Sequence, residues 1–268
     1  MFKVALIGGS GLYIPDMLEN VQEDSIDTPY GQVKYSYGQI QSENVLFITR
    51  HGRGHSVPPH KVNYHANIWA LKKLGVKYVI SSTAVGSFNA DMKVGDLVVP
   101  NQLLDFTKTR VYSFFNGENN KVVHVDVTNP YCQEVSNILV QCAQEKKLTC
   151  HPTGTYVCTE GPRFETAAEV QMYRKLGGDI VGMTGVPEAI LAREAEMCYA
   201  TFSLVTNLGA GISTTALSHQ EVYDCMKQTN AKLTSFIARA LNVLVKLDID
   251  CECQHALKEF GGFKLDLK

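Results

Sequence analysis

Residues 3–11 read KVALIGGSG, and the fold turns on how that stretch is read. Lys3 to Ile7 is a short, mostly apolar run of strand length, cut off by Gly8-Gly9-Ser10-Gly11. The same punctuation recurs along the chain. Val45 to Thr49 leads into Arg50-His51-Gly52-Arg53, and Tyr78 to Ser82 into Thr83-Ala84-Val85-Gly86-Ser87. Gly154 to Cys158 leads into Thr159-Glu160-Gly161-Pro162-Arg163-Phe164-Glu165, Ile180 to Met183 into Thr184-Gly185, and Ala200 to Thr206 into Asn207-Leu208-Gly209-Ala210-Gly211. Leu97 to Pro100 is a further strand-like run. Helices lie between several of these. Asn129-Pro130 offers a cap and a first-turn proline ahead of Val135, Ile138, Leu139 and Cys142. Ser218-His-Gln-Glu221 is a capping box opening a long last helix, with Val222, Met226, Leu233, Ile237 and Leu241 as its buried stripe. Such alternation predicts an α/β fold with a largely parallel sheet. No repeat, low-complexity tract or linker interrupts it, so a single domain is expected over residues 1–268, with a C-terminal tail from about residue 248.

Bulk properties confine the function. The 268 residues carry 25 basic against 27 acidic side chains, which leaves no global field to draw the protein onto nucleic acid or an anionic membrane. The opening MFKVALIGG is too short an apolar run for a signal peptide, and no stretch reaches the ~18 apolar residues of a membrane span. A cytoplasmic protein is expected. The eight cysteines are scattered through apolar segments and read as reduced core residues, except Cys251-Glu-Cys253 with His255. That pair lacks a second C-x-x-C partner, so a local redox pair or an unpaired surface feature is expected there, and no metal.

In open α/β sheets, ligands bind beyond the carboxyl ends of the strands, where loops like these converge. Their contents divide by chemistry. Ser10, Thr83 and the glycine turns leave hydroxyl and backbone N–H groups for an oxyanion, and Arg50 can grip two of its oxygens at once. Gly9-Ser10-Gly11 lacks the third glycine of a dinucleotide fingerprint, and no Walker loop is present, so the anion is inorganic phosphate or a phosphoryl group. Within TRHGRGHSVPPH (residues 49–60), His51 sits beside Arg50 at a strand end, whereas His55, His60 and His65 recur every five residues and read as structural histidines. A second group, Phe164, Glu165, Met183, Asn207 and His219, combines apolar faces with a carboxylate and an amide, a set suited to a flat, nitrogen-rich ring.

These motifs are IGGSGLY, RHGRGH, HKVNYHANIWALKKLGV, SSTAVGS, GDLVVPNQLLD, TEGPRFET, GMTGVPEAILARE and SHQEV. Over nearly the whole chain they resemble the trimeric purine nucleoside phosphorylase and methylthioadenosine phosphorylase family. The resemblance implies a nucleoside-phosphorylase-like domain around a central mixed, mainly parallel sheet, and phosphorolysis of a purine nucleoside to base and ribose 1-phosphate. It implies no metal and no cofactor, with inorganic phosphate as co-substrate. Ser10, Arg50, His51, Thr83, Ala84 and Thr184 would hold phosphate. Met183 would lie against the ribose and Phe164 on the base, while His124 would reach the sugar's 5′ end in a neighbouring subunit of a homotrimer or hexamer. Asn207, Glu165 and His51 are the expected catalytic residues.

Within the family, Glu165 and Asn207 stand where the adenine-preferring branch carries serine and aspartate. A carboxylate accepts from N1–H of a 6-oxopurine but meets a lone pair at N1 of adenine, which favours inosine and guanosine. His219 matches a histidine that meets the 5′-hydroxyl, although RHGRGH and MTGVPEA are closer to methylthio-type sequences, which keeps methylthioinosine and methylthioadenosine as alternatives. Two readings from other classes stand beside this one: a nucleoside hydrolase using Glu160 and Glu165 as its carboxylates, and a non-catalytic nucleotide-binding module.

Overall fold

The structure is a computed structural model of the chain and describes residues 2–12, 17–117, 122–213 and 218–265. In chain order the strands and helices are β1 (Val4–Gly8), β2 (Glu19–Thr28), β3 (Gly31–Ile40), β4 (Glu43–Thr49), α1 (Tyr64–Lys73), β5 (Tyr78–Ser87), β6 (Leu97–Val98), β7 (Gln102–Phe106) and α2 (Gln133–Glu145). They continue with β8 (Cys150–His151), β9 (Thr155–Thr159), α3 (Ala167–Lys175), β10 (Ile180–Gly182), α4 (Gly185–Glu194), β11 (Cys198–Leu208) and α5 (His219–Leu244). One mixed sheet runs β2-β3-β4-β1-β5-β10-β9-β7, and β11 branches off β5 to carry β6 and β8. All five residues of β1 are buried, as a strand covered on both faces requires. Side chains alternate between faces: Val4, Leu6, Tyr78, Ile80, Ala200 and Phe202 pack under α2 and α5. Ala5, Ile7, Val79 and Tyr199 pack under α1 and α4. The chain is thus an α/β domain with helices on both faces of a mixed, mostly parallel sheet.

The seven expected strands form, but two run further than their apolar cores. β5 continues through Thr83-Ala84-Val85-Gly86-Ser87 and β11 through Asn207-Leu208, because the two pair in parallel along almost their whole length. Residues expected in loops therefore lie on strands. β1 pairs with β5 only as far as Ser81, and β10 joins the same edge, antiparallel, only at Gly86 and Ser87. Over residues 82–85 no described strand occupies that edge, and the gap is where the sheet switches direction, the position at which α/β sheets bind ligands.

Other boundaries also moved. α2 begins at Gln133, not at Pro130, because the Cys132 N–H bonds to the Tyr199 carbonyl at 2.8 Å and holds the preceding residues against β11. α5 carries the expected capping box, with Met226, Leu233, Ile237 and Leu241 buried, but Val222 is only half-buried and lines a cavity. The β2–β3 hairpin and β7 were not expected. Among the described residues no helix is long and apolar enough to cross a membrane.

Candidate active site

A cavity of about 320 Å³ opens at the gap beside β5. Its wall includes Ser10 after β1, Arg50 and His51 after β4, Thr83, Ala84 and Gly86 on β5, Phe164 and Glu165 before α3, Met183 and Thr184 after β10, and Asn207 on β11. The structure thus brings ten of the twelve expected site residues together.

Arg50 anchors one end of the cavity. Its Nε and Nη2 donate to the two carboxylate oxygens of Glu188, at 2.5 and 2.8 Å, in a bidentate pair whose side chains are each only 1% exposed. Nη2 also donates to Ser81 Oγ at 2.5 Å and Nη1 to the Ser82 carbonyl at 2.8 Å. Four of the five guanidinium N–H donors are therefore taken, and the expectation that Arg50 grips two phosphate oxygens does not hold. One N–H remains, on Nη1, beside Gly9: a Cβ on Gly9 would stand 2.8 Å from that nitrogen and 2.5 Å from the Ser82 carbonyl oxygen, so glycine is needed for the close approach. Burial opposes the Arg50 charge, but the Glu188 carboxylate outweighs it and raises the pKa above that of ordinary arginine. Glu188, fully buried on α4, also accepts from Ser81 Oγ and the Tyr199 hydroxyl. Sequence reasoning passed over it. Its one local signal is a carboxylate in the apolar run GVPEAIL, and its partner is 138 residues away.

His51 is buried, with Nδ1 2.9 Å from the Val57 carbonyl, so that nitrogen carries the proton and Nε2 keeps a lone pair. Burial first, then the Arg50 charge, push its pKa down to about 4. Without an anion the ring is neutral at pH 7. His55, expected as a structural histidine, lies on the cavity wall with its ring centroid 4.5 Å from that of His51. His65 does hold a structural bond, to the Ser113 carbonyl. Thr83 shares a hydrogen bond with Ser203 at 2.8 Å, and Thr184 precedes the first turn of α4 without capping it, which leaves its hydroxyl for a ligand at the helix's positive end.

The opposite end is more open. Glu165 accepts from Thr159 Oγ1 at 2.7 Å, and burial raises its pKa. A one-residue bulge between Val205 and Asn207 shifts β11 so that Asn207 pairs with Gly86 and faces the cavity. Its Nδ2 donates to the Leu208 carbonyl at 3.0 Å, which identifies the nitrogen, and the second amide hydrogen has no such partner among the described contacts. Phe164 is 39% exposed. Arg110, also unforeseen, ties the rim together by donating to the carbonyls of Pro59, Glu160 and Met183.

Two expected residues fall elsewhere, and the side chain of a third is not described. Glu160 does not line this cavity; it accepts from the Lys108 and Thr109 N–H groups, Thr109 Oγ1 and Arg110. Burial works against its charge, but these bonds hold its pKa down to about 2, which keeps it ionised at neutral pH. His124 is exposed in a separate depression with Arg193, His255 and Phe260. His219 begins α5, but its side chain lies outside the described residues.

A family model described as "Phosphorylase superfamily" matches residues 3–242. A "Probable 6-oxopurine nucleoside phosphorylase" of Dictyoglomus turgidum is 53% identical over 96% of this chain and 97% of its own. A "6-oxopurine nucleoside phosphorylase" of Pyrococcus furiosus is 51% identical over 98% of this chain and 100% of its own. Among solved structures, a methylthioadenosine phosphorylase from an antarctic soil metagenomic library superposes with a TM-score of 0.90 at 39% identity, covering 96% of this chain and 91% of that one.

Proposed function

The chain belongs to the phosphorylase superfamily, and we propose that it cleaves 6-oxopurine nucleosides, inosine and guanosine, with inorganic phosphate. It is an enzyme, a purine nucleoside phosphorylase in the class of pentosyltransferases. The observation that carries the reading is one cavity with an anion end, built on buried Arg50, and a buried carboxylate, Glu165, on its other wall.

Phosphate lies among Ser10, the free Nη1–H of Arg50, His51, Thr83, Ala84 and Thr184, at the N-terminus of α4. One of its oxygens attacks C1′ as the C1′–N9 bond breaks, through an oxocarbenium-like state that the dianion stabilises. The bonding pair leaves on the purine, which takes up a proton. Asn207 donates its free amide hydrogen to N7 or O6, a bond that strengthens as charge builds on the base and so favours the transition state over bound nucleoside. Glu165 accepts from N1–H, Phe164 packs on the base and Met183 on the ribose. No metal or organic cofactor takes part.

A hydrolase would need a second free carboxylate, and Glu160 lies outside the cavity, tied to Lys108, Thr109 and Arg110 with its pKa held down to about 2. A 5′-methylthio substrate is the second reading, supported by Val222, an apolar side chain on the cavity wall in the first turn of α5. His219 would answer a 5′-hydroxyl instead. His124, remote from its own cavity, serves that of a neighbouring copy in a homotrimer. Chromatography of products from inosine, guanosine, adenosine, methylthioadenosine and methylthioinosine, each with and without phosphate, tests the assignment. Phosphate-dependent cleavage of inosine and guanosine is expected; dominance of the adenine compounds would overturn the Glu165 role, and turnover without phosphate the phosphorolysis itself.

A further inference from the structure

The expectation that Cys251 and Cys253 lack further ligands fails in three dimensions. Cys132, at the start of α2, and Cys198, the first residue of β11, meet the two tail cysteines so that all four Sγ atoms lie within 4.8 Å of one another. Cys132, Cys198 and Cys253 are buried, and Cys251 is half-buried. The Cys251 sulfur stands 3.3 Å from that of Cys198 and 4.0 Å from that of Cys132. A disulfide needs about 2.03 Å. A tetrahedron of thiolates around zinc at about 2.3 Å has edges of about 3.8 Å, the spacing these sulfurs approach.

We propose that Cys132, Cys198, Cys251 and Cys253 form a structural zinc site that fastens the C-terminal tail to the core of the domain. Four soft ligands with no open position select zinc in a closed tetrathiolate and give it no catalytic role. Cys132 stands at the N-cap of α2, where the helix dipole places partial positive charge, and Arg193 lines the same depression as Glu252, between the two tail cysteines. Both offset the negative charge that a tetrathiolate carries. Loading is a ligand exchange without redox chemistry: a zinc ion binds four thiols and releases four protons. The remaining cysteines, Cys142, Cys150, Cys158 and Cys225, stand outside the cluster. The tail has a second anchor, since Glu196 accepts the N–H groups of Leu257 and Phe263 at 2.9 Å each. A serine variant of the tail cysteines therefore keeps a folded core.

The test is elemental analysis of the full-length protein, produced with zinc in the medium and dialysed against a chelator. One zinc per chain is expected. The metal should leave in step with mercurial titration of four thiols, and cobalt(II) in its place should show the visible bands of a tetrahedral tetrathiolate. The double variant Cys251→Ser with Cys253→Ser should lose at least tenfold of the zinc, and Cys142→Ser none. The proposal is overturned by a metal-free protein whose non-reduced mass shows the cysteines oxidised in pairs. A reduced protein that takes up neither zinc nor cobalt, or zinc retained in full by the double variant, would overturn it equally.

Discussion

The two ends of the cavity are built on different principles. At the anion end Arg50 is sealed between β4, β5 and α4, with four donors satisfied and a side chain 1% exposed. At the base end Phe164 is 39% exposed, and Glu165 holds one side-chain bond, to Thr159. The first arrangement exists before any ligand arrives, so binding there requires little reordering. The second is supported by a loop before α3, where a side chain can change without opening the core. Changes at the Arg50 end are therefore expected to move stability and activity together, and changes at the Glu165 end to alter specificity on their own.

The largest effect should come from breaking the sealed end. Arg50→Ala leaves the Glu188 carboxylate buried without its partner, which costs about 3–5 kcal/mol, and kcat/KM for phosphate should fall about 10³-fold. Pairing Arg50→Met with Glu188→Leu should restore most of the stability in urea denaturation but none of the activity. If activity returned with stability, Arg50 would be structural only. Next in size is Asn207→Ala. Losing a donor aimed at developing charge should lower kcat on inosine by about 10²-fold, with the KM for phosphate unchanged. A nucleoside methylated at N7, whose base leaves neutral, should be spared most of that loss.

The contrast between the ends also explains what was legible beforehand. The strand runs from Lys3, Val45, Tyr78 and Ala200 are readable, to within two residues of where the strands begin, because buried parallel strands are continuous apolar runs. β2, ENVQEDSIDT, is almost wholly exposed and polar, with no alternation to betray it. The extension of β5 through Thr83 to Ser87 depends on β11, some 120 residues later, because Ala84, Gly86 and Ser87 carry no strand signal of their own. The individual donors around the cavity were recognisable by type. Their partners were not: Glu188 for Arg50, Val57 for His51 and the four-cysteine cluster are long-range or conformational facts.

Glu165 offers the test of the looser end. Its carboxylate must be ionised to accept from N1–H of a 6-oxopurine, and burial raises its pKa. As pH falls toward that raised value, the protonated carboxyl becomes a donor, which suits the N1 lone pair of adenine. The ratio of kcat/KM for inosine to that for adenosine should therefore decline toward acid. Glu165→Gln should lower the ratio about 10- to 100-fold, the worth of one charged hydrogen bond, and remove its dependence on this group's ionisation. The fold should be unaffected, in contrast to Arg50→Ala. An unchanged ratio would mean that Glu165 does not meet N1.

His51 should give the smallest effect, and it reports directly on whether an anion sits beside the ring. Burial and Arg50 hold its pKa down to about 4, against 6.5 for the free group. Between those values the unfolded chain binds more protons here than the folded one, so this group's contribution to stability is lost as pH falls from 6.5 and is gone below about 4. A dianion beside the ring reverses the balance by raising the folded pKa, and binding must then take up protons. Sulfate, which stays a dianion throughout this range, isolates that linkage, whereas phosphate titrates itself. Calorimetry of sulfate binding near pH 5.5, in two buffers of different ionisation heat, should show uptake approaching about one proton per anion. His51→Asn can still donate to the Val57 carbonyl but cannot titrate, so it should bind sulfate with no uptake. Equal uptake in both proteins would assign the proton to another group and move the anion away from His51.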